Sequence, residues 1–348
     1  NLYFVTIAVS GIFFLSLAGV VQASWLTPYK RIPEAMTKFL PISAVMMAVG
    51  YFGLHTIYEW THTEVVKNDP ILIEKTPWLN EPRFMITMAI IFILWIAISA
   101  KLRKYSDLMD GPDGEQVAQK FVGFSAISII VFALTICIAA FDWIMSVEPH
   151  WFSTIFGVYV FAGSFVSGIA FITLAVLKLQ ELGYFKGVIT EDHHHDLGKW
   201  MFGMSIFWAY IWISQYLLIW YANIPEETEY YVLRHHNWNT LFFINLGLNF
   251  IVPFFGLMTR AAKRNPTRLK IIAIVLLVGH FLDLYVMVAP KVFEHHNITS
   301  VSGLGVVQIL QLLGGMGLFI YVFGSALSKR KLVVENDPTF AEGAHLHQ

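Results

Sequence analysis

Cysteine is almost absent from this chain: one residue, Cys137, stands inside an apolar run. A single thiol closes no disulfide within the chain and holds no iron–sulfur cluster, and no Cys-x-x-Cys-His is there to attach haem. Charge is scarce too. Asp, Glu, Lys and Arg make up 14% of the 348 residues, against about 25% in a typical soluble domain. Their balance of -1 leaves no basic footprint for nucleic acid. An initiator methionine is lacking, and the first residue, Asn1, already lies in an apolar run. A true N-terminus further upstream is therefore expected. A basic region followed by a small-residue cleavage site is missing as well, so no signal peptide is read.

Long apolar runs take the place of all this, with 56% of residues hydrophobic. A bilayer core of about 30 Å needs roughly 20 apolar residues of helix. Nine segments meet that length: 1–23, 39–60, 82–100, 118–143, 151–177, 199–221, 237–259, 269–289 and 303–328. Lipid offers backbone groups no partners, so these are helices, and they alternate too little for a barrel. The predicted fold is all-α and polytopic. Of the 23 Lys and Arg, only Lys67, Lys75, Arg83, Arg234 and Lys291 fall in one set of alternate loops. The rest fall in the other set, which the positive-inside rule assigns to the cytoplasm together with the C-terminus. A lost upstream span would bring the true N-terminus to that side. Gly163 with Ser167, Ser164 with Gly168, and the glycines from Gly303 to Gly317 suit close helix packing. Trp60, Trp78, Trp143, Trp151, Trp220, Tyr221 and Trp238 sit at span ends, as an interfacial belt requires.

Few ionisable groups are expected within or at the edge of the spans: Glu59, Asp142 and Asp283 among carboxylates, His55 and His280 among imidazoles. Such groups are costly in a membrane and mark cavities, partners or proton paths. All three acids fall toward the non-cytoplasmic side, leaving the cytoplasmic half hydroxyls and amides. His55 and Glu59, with Tyr58 between them, are i,i+4 and are expected to share a face of the second span. His280 and Asp283 are i,i+3 on the eighth. Each pair reads either as a latch between helices or as a proton-handling or quinone-contacting group. A b-type haem would need a second axial ligand across the bundle. The run His193-His194-His195 reads as a solvated loop, with Asp196 capping the next helix. His235/His236 and His295/His296 read as surface or partner-contact residues. No metal site is read. Tyr210, Ser214, Gln215, Asn245 and Asn249 suggest a polar interior among spans five to eight.

Two connections are more specific. One reads Asp142-Trp143-Ile144-Met145-Ser146-Val147-Glu148-Pro149-His150-Trp151; the other is Trp220-Tyr221-Ala222-Asn223-Ile224-Pro225-Glu226-Glu227-Thr228. With His195-Asp196-Leu197-Gly198-Lys199, they make the chain resemble, over nearly its whole length, the membrane subunits of bacterial alternative complex III. These belong to the polysulfide-reductase (NrfD) type, and the F subunit is the likeness here. The resemblance implies two four-helix bundles, residues 1–150 and 151–300, with a last helix and tail over 301–348. It implies a subunit of a quinol:cytochrome c, or quinol:acceptor, oxidoreductase in the bacterial inner membrane. Expected partners are the sister NrfD-like subunit, a periplasmic iron–sulfur subunit, cytochrome c subunits and lipids, and a terminal oxidase is allowed. The chain would carry no cofactor of its own; a quinone contact is allowed, and haem c and iron–sulfur clusters would sit in the partners. Asp142, Glu148 and His150 carry over as motif positions. Tyr58 joins His55, Glu59, His280 and Asp283 as positions for proton transfer or quinone contact. The alternatives are a secondary transporter, which usually shows paired helix breaks at the midplane, and a structural scaffold subunit.

Overall fold

A computed structural model describes residues 1–296 and 305–344. Among the described residues nine helices are long and apolar enough to cross a membrane. They are α1 (Leu2–Val21), α2 (Arg31–Ile57), α3 (Glu81–Met109), α4 (Gly114–Trp143), α5 (Phe156–Glu181), α6 (Glu191–Ala222), α7 (Asn239–Leu257), α8 (Pro266–His295) and α9 (Val306–Leu327). No strand occurs among the described residues. The protein is an all-α, multi-pass membrane protein. Gly303, one of the glycines expected in the last span, lies outside the described residues.

Local chemistry sets the helix ends. Asn80 and Asn265 accept the N–H groups of Arg83 and Arg268 at 2.9 and 3.0 Å, with Pro82 and Pro266 in the first turn where no N–H is needed. Gln22 and Asn223 close α1 and α6 in the left-handed conformation, at φ 50° and 48°. A shorter helix, Pro225–Asn237, follows α6, and 3-10 turns at Thr37–Phe39 and Gly50–Gly53 interrupt α2.

α1 and α5 are the most enclosed helices, with 72% and 78% of their apolar windows buried, while α9 is 6% buried and lies outermost. α5 packs against α8, α6 and α1, and α1 packs against α4 and α5. Close approach explains the seam. A Cβ on Gly168 of α5 would overlap the Ser10 side chain of α1, and one on Gly11 would come within 2.5 Å of the Pro33 carbonyl. The expected aromatic belt is only partly found. Trp60, Trp143, Trp151 and Trp238 are buried, whereas Trp78, Trp220 and Tyr221 are exposed. The buried ones are held by folded connections: Trp60 Nε1 donates to the Ser146 carbonyl at 3.1 Å, and Trp143 stacks on Phe92.

The end of the molecule where α2, α4, α6 and α8 begin is the basic end. It holds a buried ionic cluster that apolar run length does not disclose. Glu34 accepts from Arg31 at 2.8 Å and from Arg330 at 2.6 Å, and Arg31 also reaches Asp107 at 2.7 Å. The expectation of only three carboxylates, all toward the other side, is therefore corrected. α2 begins eight residues before its apolar run, and Glu34 is buried because two guanidinium groups meet it. His193 and His194 are likewise buried in the first turn of α6, not in a solvated loop. Thr190 caps that helix in a reciprocal box with His193, and Asp196 pairs with Lys199 at 2.6 Å rather than capping. His193 Nε2 bonds the Gly343 carbonyl at 2.9 Å, which ties the C-terminal tail to this end.

The seam yields a test. Gly168→Val should destabilise the detergent-solubilised protein by about 1–3 kcal/mol through overpacking. Gly123→Ala, where nothing lies within 4 Å of the new carbon, should leave the melting temperature unchanged.

Candidate functional site

A bulge in α7 prepares the most enclosed polar site. Pro253 has no N–H, so the carbonyl of Asn249, four residues back, loses its helical partner. The backbone there is a π turn over Gly247–Ile251, and the Ser205 hydroxyl of α6 donates to the Asn249 carbonyl instead. Asn249 Nδ2 then donates to Asn245 Oδ1 at 2.6 Å, and Asn245 Nδ2 to Asp283 Oδ1 at 2.7 Å. A short ladder of amides thus connects α6, α7 and α8. Turns of this kind inside helices recur at functional sites.

Asp283 lies in α8, about 26 Å along its axis from Pro266 at 1.5 Å per residue. It is fully buried. Tyr159 of α5 donates its hydroxyl to Oδ1, and Trp208 of α6 donates Nε1 to Oδ2 at 2.9 Å. With Asn245 these make three neutral donors on one carboxyl, and no cation pairs with it among the described residues. Hydrogen bonds alone therefore offset the cost of burying its charge.

His280 stands one helical turn away, also buried. Thr6 Oγ1 of α1 lies 2.8 Å from His280 Nε2 and donates its own proton to the Tyr3 carbonyl, also at 2.8 Å. Thr6 thus engages one ring nitrogen, Nε2, and leaves the other, Nδ1, to the interior. Nδ1 has no hydrogen-bond partner among the described residues. It faces Gly163 of α5. A Cβ there would sit 2.8 Å from Nδ1 and 3.5 Å from Asp283 Oδ2, so both side chains border the same backbone gap. Of the eight site residues read from sequence, only these two come together in one enclosed site. Of the polar residues expected around them, Asn245 and Asn249 take part. Gln215 bonds Tyr231 at 3.1 Å, and Tyr210 is exposed.

The other six spread over the opposite end from the basic cluster. His55 and Glu59 do not share a helix face. α2 stops at Ile57, Tyr58 is extended at φ −114°, and Glu59 opens a 3-10 turn. The buried Tyr58 hydroxyl donates to the Trp143 carbonyl at 2.9 Å and pulls the chain off the helix axis. His55 is exposed, bonded to Thr61 Oγ1 at 2.9 Å and 3.7 Å from Glu81. Asp142 takes Arg83 at 2.6 Å and Trp78 Nε1 at 3.1 Å, with the guanidinium 3.5 Å over the Trp78 ring. His150 Nε2 meets Asp69 at 2.5 Å. The three motif acids and bases therefore fasten separate contacts.

Glu148 has the most deeply placed partner. Arg234, from the short helix Pro225–Asn237, is fully buried and donates to Glu148 at 2.6 Å. It also donates to the carbonyls of Tyr230, Val286 and Met287 at 2.7, 3.0 and 2.7 Å, and lies 3.3 Å over the Tyr230 ring. Burial works against the Arg234 charge, yet Glu148 beside it raises its pKa above the ordinary value. Sequence reasoning counted Arg234 only as a loop charge and did not find Tyr159, Trp208 or Gly163 as site residues. Their side chains are ordinary core types, and only the fold brings them to Asp283. No group of three or more His, Cys, Asp or Glu among the described residues is placed to hold a metal ion.

Two outcomes follow. Arg234→Met leaves the Glu148 charge buried and alone, and should cost about 3–5 kcal/mol of stability. Adding Glu148→Leu should recover much of it, as thermal unfolding of the two variants would show. The second concerns acid. The His150 hydrogen bond holds the Asp69 carboxyl below its usual range. Its folded pKa is lower than its unfolded one, about 3.9. The contact therefore stabilises fully above about pH 4 and is lost as pH falls through the folded value. Proteolysis of the 61–81 segment should rise over that window in the native protein, and Asp69→Asn should remove the pH dependence.

No protein-family model matches the chain, and no curated protein matches it at a significant level. The nine apolar helices among its described residues make it a multi-pass membrane protein with an enclosed carboxyl–imidazole site.

Proposed function

We propose that this chain is an integral membrane subunit of a quinol-oxidising electron-transfer complex, of the polysulfide-reductase-like type found in alternative complex III. In this reading it sits in the bacterial inner membrane with its C-terminus in the cytoplasm. It binds no redox cofactor, docks periplasmic iron–sulfur and cytochrome c subunits on its outer loops, and packs against a sister membrane subunit. Protons released by quinol oxidation pass through His280 and Asp283. The motif residues 142–151 and 220–228 support the family reading. The observation that carries the proton role is the buried Asp283, held by three neutral donors and no cation, beside an imidazole whose Nδ1 is unpartnered. Such a carboxyl can bear its charge on Tyr159, Asn245 and Trp208, and no cation among the described residues fixes that charge. A protonated Asp283 needs an acceptor, which the Tyr159 hydroxyl can become by turning, whereas a fixed cation would hold the carboxylate ionised more strongly.

The test has two stages. Mild solubilisation of the tagged chain should bring down c-type haem and iron–sulfur signals in fixed ratio to it; a chain that purifies alone contradicts the complex. In the assembled complex, Asp283→Asn should lower quinol turnover at least tenfold and reduce the protons released per electron. Normal turnover with normal proton release in that variant would leave Asp283 a latch between α5, α6, α7 and α8.

A further inference from the structure

Two cations of the basic end have no carboxylate partner among the described residues. Arg31 and Arg330 are occupied by Glu34 and Asp107, and Arg31 also lies 3.9 Å from Asp110. Beside them stand Arg103 of α3 and Lys38 of α2. Arg103 is only 9% exposed, yet its one hydrogen-bond partner among the described residues is the Thr37 hydroxyl. A guanidinium has five N–H groups, so most of them lack an acceptor. Lys38 is exposed, and its ammonium has neither a hydrogen bond nor an ion pair among the described residues. A buried guanidinium without a counter-charge is costly, and an anion would relieve it.

The two cations open on one space. Arg103 and Lys38 line a cleft with Arg31, Arg330 and Glu34, where the start of α2 meets the ends of α3 and α9. Ala326 and Leu327 of α9 form its apolar wall. The cleft encloses about 10 Å³, which is room for one oxygen atom. An anion held here inserts a single oxygen and leaves its bulk outside. Charge narrows the choice. Four cations stand against the three carboxylates Glu34, Asp107 and Asp110, so one positive charge is left over. Glu34 adds a second condition. Arg31 and Arg330 both take its Oε2, and its buried Oε1 has no partner among the described residues. A ligand made of acceptors alone would meet that oxygen badly, so a hydroxyl beside the anion is required.

We infer that this cleft binds the headgroup of phosphatidylglycerol, with the phosphodiester accepting from Arg103 and Lys38 and a glycerol hydroxyl facing Glu34. Its single negative charge equals the charge left over. The setting suits a lipid better than a dissolved ion. α9 is the outermost helix, and Ile320 and Tyr321 of α9 stand exposed along it, as do Val45 and Val49 of α2. Acyl chains can lie on these apolar surfaces. Lys38 directly precedes the apolar run of α2, which places its ammonium at headgroup level. Phosphatidylethanolamine has no net charge and would leave the surplus in place, whereas basic clusters at a membrane surface attract anionic lipids. The inference rests on the membrane-spanning fold and this cleft, and does not depend on the oxidoreductase reading or on Asp283.

The experiment uses the full chain, delipidated in mild detergent, and native mass spectrometry. Titration with dioleoylphosphatidylglycerol should give one saturable adduct, at least tenfold tighter than that with dioleoylphosphatidylethanolamine. Dioleoylphosphatidylmethanol, which has the charge but no hydroxyl, should bind about fivefold more weakly, as expected for one lost hydrogen bond. Excess inorganic phosphate should not displace the adduct. Arg103→Gln should weaken it about tenfold, the loss of one hydrogen bond to a charged group. Lys38→Glu should weaken it at least as much. Lys104→Glu makes the same change of charge at an exposed position outside the cleft, and should leave binding within about twofold, because exposed charges are screened. Lys38 has no hydrogen bond to lose, so its variant should keep helix content and elution volume even if Arg103→Gln fails to fold. Four results would overturn the inference: no adduct, equal retention of phosphatidylglycerol and either comparison lipid, equal effects of Lys38→Glu and Lys104→Glu, or displacement by inorganic phosphate, which would make the cleft an ion site only.

Discussion

Water is missing from a bilayer core, so each backbone and side-chain polar group there must find its partner within the protein. That constraint organises the interior of this molecule. Pro253 removes one N–H from α7, and the carbonyl it strands is taken up by Ser205 across the helix interface. The turn widened by that break brings Asn245 and Asn249 into line with Asp283. Arg234, the largest fully buried charged side chain among the described residues, is likewise surrounded by three carbonyls and a carboxylate. Satisfaction is incomplete at several buried side-chain atoms, and His280 Nδ1, which borders the same backbone gap as Asp283, is one of them.

Two kinds of buried charge are thus kept apart. At both ends, guanidinium groups meet carboxylates: Arg31 and Arg330 on Glu34, Arg83 on Asp142, Arg234 on Glu148. These pairs tie connections and the C-terminal tail to the helices, and removing one member leaves the other exposed to the full desolvation cost. Between them stands Asp283 with neutral donors only. A buried ion pair holds the carboxylate ionised more strongly than neutral donors do. The carboxylates of the connecting segments therefore suit fastening, and the one in α8 suits exchange.

Much of this was readable beforehand. Run length and the absence of water set the number of spans, since about 20 apolar residues make a crossing whatever the fold. Spacing set His280 beside Asp283, because i,i+3 positions share a helix face without reference to anything else. The same rule failed for His55 and Glu59. It presumes an unbroken helix, and the bond from Tyr58 to the Trp143 carbonyl, 85 residues away, ends α2 between them. Run length in turn failed at the basic end, where it hid Glu34 and His193. Both belong to helices that begin before their apolar runs do.

The sequence by itself determined the class of the protein, an all-α multi-pass membrane chain, its spans and the pairing of His280 with Asp283. These follow from hydrophobicity and helix geometry, which act over a few residues. Only the tertiary structure decided which neutral donors surround Asp283, that Arg234 is a buried counter-ion of Glu148, and that the tail brings Arg330 to Glu34. Each of these joins residues tens to hundreds of positions apart. Tyr159 and Trp208 are ordinary core residues until helix packing sets them, with Asn245 and Gly163, around one carboxyl, and packing is a property of the whole chain.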